Sequence, residues 1–163
     1  MSQSANSPTH SQSTNSAQSS VNYFRFPIRV YIEDTDAGGI VYHANHIRYM
    51  ERTRTEWLRA SKFEHYWHQQ DYNFVVHEIS LKYHRPILMD DLLTVTARVI
   101  SCKSASFSLQ QEIYRDEILL ASGLVTIACL STDMRPRKLP EALKEMILEQ
   151  LAFEQQSLQK AQQ

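Results

Sequence analysis

The chain has 163 residues, 42% of them hydrophobic and 21% charged, and its 17 Lys plus Arg nearly balance its 18 Asp plus Glu, for a net charge of −1. That length suits one domain with a real core, and the even balance leaves no broad basic surface for nucleic acid. No run of 18 apolar residues is present, so nothing in the sequence reads as a membrane span.

Residues 1–20 are rich in Ser, Gln and Asn, without an aromatic residue and almost without charge. They lack the basic start and apolar middle of a secretory signal. They offer too little apolar surface to offset ordering entropy, so a disordered tail is expected over 1–21. A folded domain is expected over 22–140 and a terminal helix over 141–163.

From Phe24 the pattern has period two. Phe24, Phe26, Ile28, Val30 and Ile32 take one face and Arg25, Pro27, Arg29, Tyr31 and Glu33 the other, which predicts a half-buried strand. Pro27 cannot donate to a ladder and marks an edge or a bulge. After Gly38-Gly39, residues 43–61 read as a helix, with Ile47, Met50, Thr53, Trp57 and Leu58 at helical spacing. Residues 62–73 predict a turn or short helical piece.

Four strands follow. Residues 74–83 are ended by Arg85-Pro86. Residues 92–102 alternate Leu93, Val95, Ala97 and Val99 against polar neighbours. Phe107, Leu109, Gln111 and Ile113 run to a hairpin turn at Arg115-Asp116-Glu117. Residues 118–131 form a long apolar strand with Gly123 as a bulge position. Pro140 then opens a helix whose stripe is Leu143, Met146, Ile147, Leu151 and Leu158. Short turns imply an antiparallel sheet, and a long early helix needs that sheet curved around it: an α+β fold. A long sheet edge invites pairing between subunits. The cysteines, Cys102 and Cys129, form no CxxC or Cys/His cluster and read as buried thiols of a reducing cytoplasm.

The chemistry concentrates between the first strand and the helix, where Asp34, Asp36, Gly38, Gly39 and His43 fall within ten residues. A calcium loop starting at Asp34 fails, with Gly38 in the third ligand position and Asn45 where Glu is needed. His43 and His46 lack the partners of a zinc site, so no metal is expected. No nucleophile elbow or phosphate loop is present. Either aspartate suits a turn or a cap. The alternative is a carboxylate beside the unpaired N–H groups of a helix start, a nucleophile or base next to an oxyanion site.

The segment RVYIEDTDAGGIVYHANHIRYMERTRTEWL, residues 29–58, closely resembles the signature of the YbgC-type acyl-CoA thioesterases, which belong with 4-hydroxybenzoyl-CoA thioesterase in the hot-dog fold. The segments Phe74-Val75-Val76, KYHRP at 82–86, Asp90-Asp91-Leu92 and RPRKLP at 135–140 are similar too, so the likeness covers residues 26–140. It implies an antiparallel sheet wrapped around a long central helix, and homodimers or homotetramers with sites at subunit interfaces. It implies hydrolysis of an acyl-CoA to free acid and CoA, with the CoA thioester as substrate and no cofactor.

By position, Asp36 matches the catalytic carboxylate. The His43 backbone N–H matches the donor to the thioester carbonyl, with its ring as a further candidate. Asp34 reads as structural, and Asn45 as shaping the substrate pocket, while Gly38 and Gly39, without a Cβ, let substrate approach the backbone closely. Arg135 and Arg137, with Lys138, suit the CoA phosphates. Two positions depart from the family. Tyr31-Ile32 replaces a pair of aromatics, and His46 stands where Tyr is common. A non-catalytic module binding acyl-CoA or acyl carrier protein is the rival reading. The family's association with Tol–Pal envelope systems in some bacteria adds a scaffold role, of which the sequence itself shows nothing.

Overall fold

The computed structural model describes residues 23–63 and 72–161; the expected tail, and most of the piece expected at 62–73, lie outside them. Strand β1 (Phe24–Arg29) leads through a 3-10 turn (Ile32–Asp34) to helix α1 (His43–Ala60). Strands β2 (Asn73–Tyr83), β3 (Leu92–Cys102), β4 (Ser106–Arg115) and β5 (Ile118–Leu130) follow, then helix α2 (Glu141–Ala161).

The five strands form one sheet in the order β1-β3-β4-β5-β2, antiparallel at every pairing. The strands before and after α1 are therefore the two edges, and α1 carries the chain across one face of the sheet. Pro27 sits in edge strand β1, where a missing donor is tolerated.

Period-two burial explains the packing. Leu93, Val95, Ala97 and Val99 of β3 and Phe107, Leu109, Gln111 and Ile113 of β4 are buried on the helix side. Val125, Ile127 and Cys129 of β5 continue that face. One core cluster joins Tyr49 and Met50 to Ile28, Val30, Leu93 and Ile113. The other joins Trp57 to Phe107, Leu109 and Val125 and to Leu143 and Ile147 of α2. Helix α2 thus adds Leu143 and Ile147 to that core cluster.

Several local expectations change. Ile32 does not continue the β1 alternation; the chain leaves the strand at Val30 and Ile32 is 75% exposed in the 3-10 turn. Ile47 is partly exposed on α1, whereas Tyr49 and Arg54 are buried. Leu158 lies exposed beyond the sheet. Gly123 is no bulge: it pairs in register with Leu81 and Gln111. A Cβ there would lie 3.1 Å from Met50 Sδ and 3.2 Å from the Ser80 carbonyl, so glycine lets α1 seat closely on the sheet.

Arg54 enters this apolar layer with a polar partner. Its Nη1 donates to Gln111 Oε1 at 2.8 Å, and Gln111 Nε2 donates to the Met50 and Thr96 carbonyls. Burial lowers the Arg54 pKa, with the Glu51 charge opposing.

Candidate active site

The junction from Tyr31 to His43 is held by its own backbone. The Asp34 carboxylate is buried and accepts the Tyr31 N–H at 2.9 Å. The Asp34 carbonyl accepts the Tyr42 N–H and the Asn45 side-chain amide, both at 2.9 Å. Asp34 and Asn45 therefore pin the start of α1 to the turn, two buried groups satisfying each other. Behind them the Tyr49 hydroxyl is buried beside the Asp34 carboxylate. Its pKa is raised, first by burial and then by the Asp34 charge. Tyr49 therefore belongs to the core beneath the site.

Asp36 lies on the other side of the turn, exposed. Its N–H donates to the Ile40 carbonyl and its carbonyl accepts the Gly39 N–H. Its Oδ1 accepts the Gly38 N–H at 2.8 Å. Gly39 has φ +75°, a conformation that side chains disfavour. A Cβ on Gly38 would lie 3.0 Å from Asp36 Oδ1. The glycine pair thus shapes the loop that holds the carboxylate. Val41 then pairs with Ile87 and Ile40 bridges Leu88, which ties this loop to the segment after β2.

His43 is the first residue of α1, so its N–H has no carbonyl one turn back within the helix. The N-terminal end of the dipole adds partial positive charge there. The His43 ring lies tilted on Tyr42, 4.3 Å between centroids. Its carbonyl accepts the Tyr83 hydroxyl at 3.0 Å and His46 Nδ1 at 3.1 Å. His46 in turn meets the Tyr83 ring edge-on at 4.8 Å. Burial lowers the His46 pKa below its ordinary value; the Tyr42 and His43 carbonyls oppose this, and the His43 charge adds to it.

Asp36, His43, His46, Tyr83, His84 and Arg85 face one cavity of about 460 Å³. The fold thus brings Asp36 and His43 together across the glycine turn, while Gly38, Gly39 and Asn45 do not line the cavity. Tyr83, His84 and Arg85 join them from the end of β2. They were legible only as a family-like segment, because strand periodicity says nothing about what lies at a strand's end.

Arg135 and Arg137 are not part of this cavity within one chain. They follow β5, where Pro136 bridges Leu130 and the Arg137 guanidinium lies 4.0 Å over the Tyr72 ring. Asn73 pairs with Leu130 at that end of β2, while Tyr83 pairs with Ala121 at the cavity end. Ten residue steps along a strand separate the ends by roughly 33 Å. Among the described residues no group of three or more His, Cys, Asp or Glu side chains is placed to hold a metal ion. No described helix is long and apolar enough to cross a membrane.

A helix laid across a five-stranded antiparallel sheet, with a carboxylate loop at its N-terminus, is the architecture of hot-dog thioesterases. The thioesterase-like superfamily model matches residues 30–151. The acyl-CoA thioesterase YbgC of Haemophilus influenzae is 39% identical over 126 residues, covering 76% of this chain and 93% of that protein. The structure of a probable thioesterase from Bartonella henselae matches with a TM-score of 0.69 and 34% identity, over 72% of this chain and 99% of the other. A 1,4-dihydroxy-2-naphthoyl-CoA thioesterase from Synechocystis shares the fold, at TM-score 0.73 and 21% identity over 78% of this chain and 97% of that one. The chain belongs to the thioesterase-like superfamily and is a YbgC-like hot-dog thioesterase.

Proposed function

We propose that this thioesterase hydrolyses acyl-CoA to the free acid and CoA at the Asp36–His43 cavity. The observation that carries the reading is that Asp36 and His43, the first residue of α1, line one cavity. The H. influenzae relative, named an acyl-CoA thioesterase, supports the substrate class.

Attack on a thioester carbonyl moves negative charge onto its oxygen. The His43 N–H, fixed in direction by α1, is the donor for that oxyanion, and one such donor is typically worth about 2.7–4 kcal/mol. Asp36 supplies the other half. The Gly38 N–H on Oδ1 orients it. Oδ2 either attacks the carbonyl carbon, giving a mixed anhydride, or takes a proton from water that attacks. In both routes the C–S bond breaks and CoA leaves as thiolate, to be protonated.

An acyl-CoA panel tests the reading, with acyl-carrier-protein thioesters included. The parent should turn over at least one class. Asp36→Asn, which keeps an acceptor for Gly38, should lose about 10²–10⁴ in kcat/KM, the usual contribution of a positioned acid or base. Binding without turnover by the parent would favour the non-catalytic module instead. Single turnover in heavy-oxygen water separates the routes, since label in Asp36 requires the anhydride.

The assembly belongs to the same proposal. Strand β2 is a sheet edge of 11 residues, and such an edge invites pairing. A second copy added antiparallel along β2 would bring its Asn73 end, and with it Arg135 and Arg137, to the Tyr83 end of the first. Basic side chains suit the CoA phosphates. A dimer or tetramer by light scattering, and a KM for CoA thioesters raised by Arg135→Ala, are the expected results. The free thiols Cys102 and Cys129 support a cytoplasmic setting.

A further inference from the structure

The Asp36 route accounts for the carboxylate and the helix N–H, but not for His46. This side chain is only 4% exposed, yet it faces the cavity shared by Asp36 and His43. A buried imidazole in the wall of a polar cavity needs a reason.

The hydrogen bond to His43 assigns its proton. Nδ1 lies 3.1 Å from the His43 carbonyl, and a carbonyl can only accept, so Nδ1 carries the hydrogen. In the neutral ring Nε2 is then an unprotonated acceptor. The ring cannot turn over without losing the His43 contact, and the Tyr83 ring, edge-on at 4.8 Å, holds its other side. Tyr83 is itself fixed by its hydroxyl on the same His43 carbonyl. One carbonyl therefore orients both rings. The geometry resembles a general base whose second nitrogen is held by an acceptor.

A thioester offers no hydrogen to such an acceptor, since its oxygen and sulfur only accept. The attacking water does. We infer that His46 is a further catalytic residue, whose Nε2 binds the hydrolytic water and takes its proton; this rests on the thioester hydrolysis proposed above.

Asp36 first attacks the carbonyl carbon, the C–S bond breaks and CoA leaves as thiolate. Water then opens the mixed anhydride: one O–H bond breaks, its proton goes to Nε2, the oxygen forms the new C–O bond, and Asp36 leaves as carboxylate. The Nε2 proton then passes to the thiolate or to solvent. No oxidant, reductant or cofactor enters. The groups that tune this nitrogen are Asp36 and His43 from the turn and α1, and Tyr83, His84 and Arg85 from β2 and the segment after it.

His46→Asn tests the inference, because the Asn amide can still donate to the His43 carbonyl while the basic nitrogen is gone. Expected are a loss of about 10²–10⁴ in kcat/KM and disappearance of the acid limb of its pH profile. His46→Asn within threefold of the parent (~0.65 kcal/mol), with the acid limb unchanged, overturns the inference. Nitrogen-15 NMR of the parent gives an answer that does not depend on the variant folding. Hydrogen on Nδ1, with Nε2 titrating in step with the acid limb, supports it; hydrogen on Nε2 overturns it. A parent that hydrolyses no acyl-CoA sinks the thioesterase reading and this inference together. An active parent with an unaffected His46→Asn sinks only this one.

Discussion

The side-chain amide of Asn45 donates to the backbone carbonyl of Asp34 at 2.9 Å, joining the last residue of the 3-10 turn to the third residue of α1. Both residues are buried, and the bond sets the angle between the carboxylate loop and the helix start. Asn45→Ala leaves that carbonyl only the Tyr42 N–H. The expected cost is about 1–2 kcal/mol of stability. A fall in kcat should accompany it, because Asp36 and the His43 N–H then lose their fixed relation. Asn45→Asp should cost more, since it sets a carboxylate against the same carbonyl. Denaturant melts alongside steady-state kinetics check both.

Gly38 is expected to matter to catalysis more than to folding. An alanine Cβ would stand 3.0 Å from Asp36 Oδ1, on an exposed loop that can shift. Gly38→Ala should therefore move the carboxylate by tenths of an ångström and lower kcat about tenfold or more, as small misplacements do. Melting should change by less than about 0.5 kcal/mol, as at surface positions generally. Equal losses in stability and kcat would point to a folding role.

The Arg54–Gln111 pair places a charge inside the layer between helix and sheet. Gln111→Leu removes the acceptor at 2.8 Å and leaves the guanidinium buried without it. Leaving a buried donor without its acceptor costs about 1–3 kcal/mol and more when it is charged, whereas replacing both partners by apolar side chains can be nearly neutral. Gln111→Leu should melt far below the parent, and Arg54→Met with Gln111→Leu should recover most of the loss. A double variant as weak as the single one would contradict this account.

Stability should also fall on the acid side through His46. Its pKa in the folded protein is lowered, chiefly by burial, from an unfolded value of about 6.5. As pH falls below about 6.5 the unfolded chain takes up the proton first, so stability drops until the folded value is passed. Above that range the ring is neutral in both states and contributes no slope. Melts between about pH 7.5 and pH 5 should show a decline that His46→Asn makes shallower.

Much of this molecule is written in local pattern. Alternation over Leu93, Val95, Ala97 and Val99, and over Phe107 to Ile113, named the buried face even where Gln111 interrupts it. The pattern misled where a residue answers to something beyond its own element. Ile32 keeps the strand rhythm but sits in a 3-10 turn, and Gly123 looks like a bulge but makes room for Met50. Arg54 is a cation that no local pattern would bury, and it is buried because Gln111 of a distant strand meets it.

The sequence by itself determined the order of strands and helices and the family, since periodicity and turn residues act within a few positions along the chain. It also drew Asp36, the glycine pair and His43 together, because they are neighbours in the chain. Only the tertiary structure decided which aspartate is buried and which faces the cavity. It also brought Tyr83, His84 and Arg85 to that cavity and left Arg135 and Arg137 at the far end of β2. Those facts depend on strand register and on where a helix lands, which are set by packing between residues 40 and more positions apart.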